Sequence, residues 1–204
     1  VGTQIKVSDG LVNAVSHAGL NIERLLGGSG LDTLTSGDGE NLWIISGPNT
    51  GTLNGVAFTG IESLVGGIGD DTFVFLPGGS LTGSIDAGLG DDTFDFRQGG
   101  TVAGTIAGGG DNDTLLGNDA NRTWSITGVN AGTASGIGPF DQLENLVGGA
   151  GIDTFALSTG GRLTGGVTGG DGTADVLTAD DLVPTTFRLT GDDEGLHTDG
   201  VNTF

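Results

Sequence analysis

The segment 61–96 contains one short sequence twice, and this repeat constrains the fold more than any other feature of the chain. Residues 66–73 read GGIGDDTF and residues 87–94 read AGLGDDTF, so Asp71 and Asp92 are 21 residues apart. In both copies a glycine-rich turn ends in aspartate and is followed by an apolar strand. When such units stack, their turns form one column and their strands another, which is the arrangement of a β-solenoid.

The same motif occurs six times, and its spacing divides the chain into short and long steps. The steps between successive motif aspartates are 39, 21, 21, 40 and 22 residues. Each long step contains a tryptophan segment, 41–58 or 122–140, which predicts a coil of another kind between the motif coils. The segment 186–204 resembles the start of a third such coil. The motif aspartates are Asp32, Asp71, Asp92, Asp113, Asp153 and Asp175.

Within one motif coil the pattern is strand, turn, strand, turn. Residues 71–75 and 80–86 have strand character, and 76–79 (LPGG) form a turn between them. The alternation along the first strand places Phe73 and Phe75 inward and Thr72 and Val74 outward. The prediction is an all-β fold, a right-handed parallel β-solenoid of the β-helix or β-roll kind, with about ten coils of about 20–21 residues. Residues 1–204 then form a single repeat array.

Composition excludes several classes of function. Six basic residues stand against 26 acidic ones, for a net charge of −20, so nucleic acid and anionic lipid surfaces would repel the chain. No apolar run reaches the roughly 20 residues of a membrane span, so no membrane insertion is expected. There is no cysteine for disulfides or thiol chemistry. The start has neither an initiator methionine nor a signal-like segment, and we expect an internal slice or a processed segment of a longer repeat protein.

The residues of common catalytic sites are absent or isolated, so we expect no enzyme activity. His17 and His197 lack the spaced partners of a zinc site or a triad. There is no tyrosine and only one lysine, which removes the usual bases of polysaccharide lyases. Glu23, Glu62 and Glu144 occupy equivalent places in three similar segments, but in coils that are not neighbours. We therefore expect each glutamate to cap a turn.

The motif resembles a known repeat. Residues 27–35 (GGSGLDTLT) are similar to the calcium-binding nonapeptide of RTX proteins. The longer unit is similar to the repeat regions of large bacterial surface adhesins of the filamentous-haemagglutinin-like and RTX-adhesin kinds. The resemblance implies Ca²⁺ between stacked turns, held by backbone carbonyls and the motif carboxylates. By position the ligands would be Asp71, Asp92 and Asp113 in one run, Asp153 with Asp175 in another, and Asp32.

Electrostatics also favours a cation beside stacked aspartates. Two carboxylates about 5 Å apart repel by roughly 3 kcal/mol at an effective dielectric constant of 20. Calcium accepts six to eight oxygen ligands in loose geometry, which glycine-rich turns can supply. The alternative is that each aspartate only caps its turn by accepting backbone N–H groups.

The function implied by the resemblance is structural. We expect an extracellular rod or filament segment of a bacterial cell-surface adhesin, stiffened by Ca²⁺. Its partners would be further coils, either in the same chain or through end-to-end self-association. The alternative is an adhesive module that binds a glycan or a host or partner surface protein.

Overall fold

The computed structural model of the chain describes residues 23–180 and the backbone of the strand Gln4–Lys6. His17, His197 and the segment 186–204 lie outside these residues. The described part is all-β and contains no helix. The described residues therefore include no helix that could cross a bilayer.

Twenty-one strands make up the described structure. They are β1 (Gln4–Lys6), β2 (Arg24–Leu26), β3 (Thr33–Thr35), β4 (Leu42–Gly47), β5 (Thr50–Leu53), β6 (Val56–Thr59), β7 (Ser63–Ile68), β8 (Thr72–Phe75), β9 (Ser80–Leu81), β10 (Ile85–Leu89), β11 (Thr93–Asp95), β12 (Thr101–Val102), β13 (Ile106–Gly110), β14 (Thr114–Leu116), β15 (Arg122–Gly128), β16 (Ala131–Ala134), β17 (Gly138–Asp141), β18 (Asn145–Val147), β19 (Asp153–Leu157), β20 (Val167–Thr168) and β21 (Val176–Ala179).

The strands form two open sheets and a short ribbon. Sheet 1 has the order β1-β2-β6-β5-β4-β8-β11-β14-β18-β20, and sheet 2 has the order β21-β19-β15-β16-β17-β13-β10-β7-β3. Strands β9 and β12 pair in parallel as the ribbon. The chain passes from one sheet to the other and back, and we call one such passage a circuit. This parallel, repeat-like arrangement fits a solenoid.

Neighbouring circuits pair in the register that the 21-residue spacing predicts. Thr93 of β11 lies opposite Thr72 on one side and Thr114 on the other, in parallel pairs. In sheet 2, β10 pairs in the same way with β7 and β13. Each side chain therefore has its counterpart from the next circuit directly beside it.

Stacked aromatic rings fill the space between the two sheets. Phe73 is fully buried and stacks on Trp43 and Phe94, with ring centroids 5.6 and 5.1 Å away. Phe75 stacks on Phe96 at 4.2 Å. The predicted inward direction of Phe73 and Phe75 is confirmed, because both are fully buried while their neighbours on β8 are only half-buried.

The tryptophan segments differ from the predicted coils. Each forms three antiparallel strands that stay within one sheet, β4–β5–β6 in sheet 1 (meander 1) and β15–β16–β17 in sheet 2 (meander 2). Short turns permit this reversal: Asn49, Asn54 and Gly55 in meander 1 have positive φ, as tight hairpin turns require. Motif spacing alone could not distinguish such a meander from another circuit of similar length.

The strand limits also differ from those predicted. The predicted strand 80–86 is divided into β9 and β10, and β10 continues through Ala87 and Gly88 into the motif. The backbone thus remains paired with neighbouring circuits well into the glycine-rich turn.

Candidate functional site: the aspartate ladders

The motif aspartates link neighbouring circuits through their side chains. The backbone N–H of Asp71 donates to Oδ1 of Asp92 (2.7 Å), and the N–H of Asp92 donates to Oδ1 of Asp113 (2.8 Å). The N–H of Asn41 donates to Asp71 (2.8 Å), and that of Asp113 to Glu144 (2.9 Å). These five residues form ladder I. Each carboxylate caps the strand that begins in the preceding circuit.

The other motif aspartates belong to two shorter ladders. In ladder II the N–H of Arg122 donates to Asp153 (3.1 Å), and the N–H of Asp153 donates to Asp175 (2.8 Å). In ladder III the N–H of Asp32 donates to Glu62 (2.8 Å). The predicted runs are therefore brought together as expected, and Asp32 stands apart from the other motif aspartates.

The ladders lie on different connections between the sheets. Ladder I residues precede strands of sheet 1, whereas Asp32 and Asp175 precede strands of sheet 2 and Asp153 begins one. The connection that carries the motif changes at each meander. A meander is about as long as a circuit but stays within one sheet, so the next motif turn starts from the opposite sheet. Sequence spacing predicted one column of turns, and the structure has columns on both connections.

The predicted capping role of Glu62 and Glu144 is confirmed by their hydrogen bonds. In addition to the backbone N–H that it caps, each glutamate accepts a hydrogen bond from an asparagine amide. Nδ2 of Asn49 donates to Glu62 (2.9 Å), and Nδ2 of Asn130 donates to Glu144 (2.6 Å). Each asparagine also donates to a threonine hydroxyl, Thr82 or Thr164. Sequence reasoning missed these asparagines. Their signal is that each stands six residues after a meander tryptophan.

Glycine at the first two positions of the motif avoids two different steric conflicts, although the copy at 87–94 has Ala87 at the first position. A Cβ on Gly66 would lie closer than 3.0 Å to Oδ2 of Asp71 and to the Ala87 carbonyl. A Cβ on Gly88 would lie closer than 3.0 Å to the Gly67 carbonyl of the preceding circuit, and Gly88 has φ +110°. The first glycine thus makes room for the carboxylate, and the second lets the circuits approach.

One oxygen of most motif carboxylates is buried without a hydrogen-bond partner. The aspartates concerned are at most 1% exposed. The arrangement described at Gly66 recurs in two other copies. A Cβ on Gly108 would meet Oδ2 of Asp113 and the Gln142 carbonyl, and a Cβ on Gly148 would meet Oδ2 of Asp153 and the Gly169 carbonyl. A proton or a cation beside a carboxylate oxygen packed in this way would stabilise it. The orphaned oxygens are Asp32 Oδ1 and the Oδ2 atoms of Asp71, Asp92, Asp113 and Asp153.

Burial changes the acidity of these groups. Desolvation raises the pKa of Asp92 and the pKa of Asp113 to about 7, with a further contribution from neighbouring carboxylates. Desolvation also raises the pKa of Asp71 and that of Asp153. Without a cation, these stacked carboxylates therefore retain protons at a higher pH than an exposed aspartate does.

The opposite shift occurs at Asp95 on the outer side of sheet 1. Hydrogen bonds from the Arg97 guanidinium at 3.0 and 2.7 Å lower the pKa of Asp95. The repeat motif does not include Asp95, and this aspartate lies outside the ladders.

No three His, Cys, Asp or Glu side chains in the described ranges gather closely enough to form a metal site by themselves. A cation in a ladder would therefore take most of its ligands from backbone carbonyls. Comparison with protein-family models, curated proteins and solved structures finds no match to this chain.

The close approach of the circuits predicts that alanine substitution will destabilise the protein to very different extents at two glycines of equal φ. Gly88→Ala should destabilise the protein by more than about 3 kcal/mol, because it adds a backbone clash to the cost of positive φ. Gly99 also has φ +110° but nothing lies within 4 Å of its Cβ position, so Gly99→Ala should cost only about 1–2 kcal/mol. Urea unfolding measures both values, and equal losses would contradict the steric explanation.

The raised pKa values predict an unusual pH dependence for the metal-free protein. Asp92 and Asp113 bind protons in the folded state that the unfolded chain releases above about pH 4, since their ordinary pKa is 3.8. The free energy of unfolding should therefore fall as pH rises from about 4 to about 7. Urea titrations in chelator should show this slope, and the double variant Asp92→Asn/Asp113→Asn should reduce it. A wild-type stability that is flat or rises over this range would refute the assignment.

Proposed function

We propose that this chain is a structural segment of an extracellular rod or filament on a bacterial cell-surface adhesin. In this proposal the two sheets belong to a right-handed parallel β-solenoid of about ten coils, with Ca²⁺ between the glycine–aspartate turns. The segment is not an enzyme. It continues into further coils, in the same chain or in a neighbouring copy.

The observation that carries the proposal is the uninterrupted side-by-side pairing of circuits. Thr72, Thr93, Thr114 and Asn145 are consecutive partners across four strands of sheet 1. Parallel strands spaced about 4.8 Å apart extend a body along one axis without limit on length. Such a body suits a spacer or filament better than a pocket for a small substrate.

The orphaned carboxylate oxygens support calcium as the stiffening ion. Asp71, Asp92 and Asp113 would hold it in ladder I, Asp153 and Asp175 in ladder II, and Asp32 in ladder III. Carbonyl oxygens of adjacent circuits lie beside the same pockets, as at Ala87 and Gln142. Bound calcium would neutralise the buried charge and join neighbouring circuits.

The alternative is an adhesive module. Glycan recognition commonly uses exposed aromatic rings, yet every Phe and Trp among residues 23–180 is buried to within 2% exposure. Exposed apolar side chains at motif turns favour a protein partner instead. They are Leu31, Ile68, Leu89 and Ile152, each at least 49% exposed.

Calcium should raise the melting temperature if it occupies the ladders. At about 100 times its dissociation constant, one ion contributes about 2.7 kcal/mol, or roughly 5–10 °C for a chain of this length. Asp92→Asn should reduce both this shift and the number of ions found by elemental analysis. Asp86→Asn is the matched control, since Asp86 is exposed on the neighbouring strand β10 and loses the same charge.

The capping alternative predicts the opposite behaviour. Without calcium, the side-chain amide introduced by Asp92→Asn would donate a hydrogen bond where a carboxylate oxygen had no partner. The variant should then melt at or above the wild-type temperature. An unchanged melt in chelator together with no bound metal would leave capping as the only role of these aspartates.

The rod proposal also predicts the behaviour of the protein at high concentration. We expect filaments by electron microscopy, with a 4.7–4.8 Å reflection along the filament axis from strands that lie across it. A glycan array should show no specific binding. Specific binding of a defined glycan, with no end-to-end association, would favour the adhesive alternative.

A further inference from the structure

The two meanders differ from the rest of the chain in how local their contacts are. In meander 1 the β4–β5 pairs join residues between 3 and 10 positions apart, from Gly47 with Thr50 to Trp43 with Leu53. The β5–β6 pairs join residues 3 to 9 positions apart. Meander 2 is built in the same way. Closing such short loops costs little chain entropy, and hairpins form in microseconds.

The motif circuits have no comparably local pairing. Within them each strand has its nearest partner at least 20 residues away, as Thr72 meets Thr93 at 21 and Thr33 meets Ser63 at 30. Parallel pairing over such distances must close a long loop before any contact forms, so it is slow when it starts from a disordered chain. A preformed strand edge removes part of this cost for the next strand.

Each meander has the features of a template that other strands can join. Its rings share one buried face, since Trp43 packs edge-on against Phe58 at 6.4 Å and both are fully buried. Three strands with an apolar face meet the minimum that a sheet needs for independent stability, which a two-stranded hairpin does not. Both outer strands of meander 1 pair in parallel with strands outside the meander: β4 pairs with β8, and β6 pairs with β2.

We propose that the meanders are the folding seeds of this array. Each forms first from local contacts, and the circuits then add to its two outer strands in both directions. In ladder I the additions of β11 and β14 are completed by a side-chain cap, because each of these strands brings an aspartate that caps the strand before it. The tryptophan segments therefore recur along the chain as nucleation sites.

The experiment compares glycines of positive φ in the meanders with glycines of positive φ in the circuits. Gly55 in meander 1 and Gly78 in a motif circuit have φ +84° and +83°, and nothing lies within 4 Å of either Cβ position. Gly136 in meander 2 (φ +71°) and Gly160 in a circuit (φ +85°) form a second pair, in which a Cβ at Gly136 would lie 3.1 Å from Nη1 of Arg122 and a Cβ at Gly160 would meet nothing within 4 Å. The variants are Gly55→Ala/Gly136→Ala and Gly78→Ala/Gly160→Ala in the full chain.

Stopped-flow refolding from urea reports on the seeds directly, because the only two tryptophans lie in the meanders. We expect the meander double variant to refold more slowly by about 5- to 30-fold for each seed impaired. The circuit double variant should refold within about twofold of wild type and unfold faster. Equal slowing in both variants, or slowing only in the circuit variant, overturns the proposal.

Hydrogen-exchange pulse labelling of the wild-type protein keeps the proposal testable if the meander variant fails to fold. The amides of β4–β6 and β15–β17 should become protected before those of β8, β11 and β14. Simultaneous or later protection of the meander amides overturns the proposal.

Discussion

Backbone pairing between neighbouring circuits is the constraint on which the rest of this structure depends. Parallel strands must remain about 4.8 Å apart around the whole circuit, including the turns. At Gly88 the backbone comes so close to the Gly67 carbonyl that no Cβ fits. The turn aspartate also keeps neighbouring circuits paired. Its carboxylate accepts a hydrogen bond from the N–H at the start of the strand in the preceding circuit. The glycines and the aspartate of the motif thus both allow neighbouring circuits to stay paired through the turns.

The ladders connect this packing to chemistry. An aspartate that caps a neighbouring circuit with one oxygen carries the other oxygen into the interior, where carbonyl groups line the same space. Stacking places these charges one above another, so each additional circuit adds to the cost of leaving them unneutralised. Repetition itself therefore produces the demand for a proton or a cation. Glu62 and Glu144 avoid part of this demand, because asparagine amides from the meander hairpins reach them.

The successes and failures of sequence reasoning follow from the range of the interactions involved. The 21-residue period predicted the register of β8, β11 and β14, and alternation predicted the buried faces of Phe73 and Phe75. The antiparallel course of meander 1 was not predicted, since its length is close to that of a circuit. The role of Asn49 depends on a carboxylate 13 residues away and a threonine 33 residues away, and local pattern carries little information about either.

By itself, the sequence determined the repeat, its period, the residues that face the core and the identity of the capping carboxylates. These properties follow from periodicity and residue chemistry, which are the same in every copy. Only the tertiary structure decided on which connection each aspartate lies and which oxygen lacks a partner. The connection depends on the meanders, because each keeps three strands in one sheet and the motif turns after it lie on the opposite connection from those before it. Such a shift is a property of how strands are ordered in space, and no spacing along the chain encodes it.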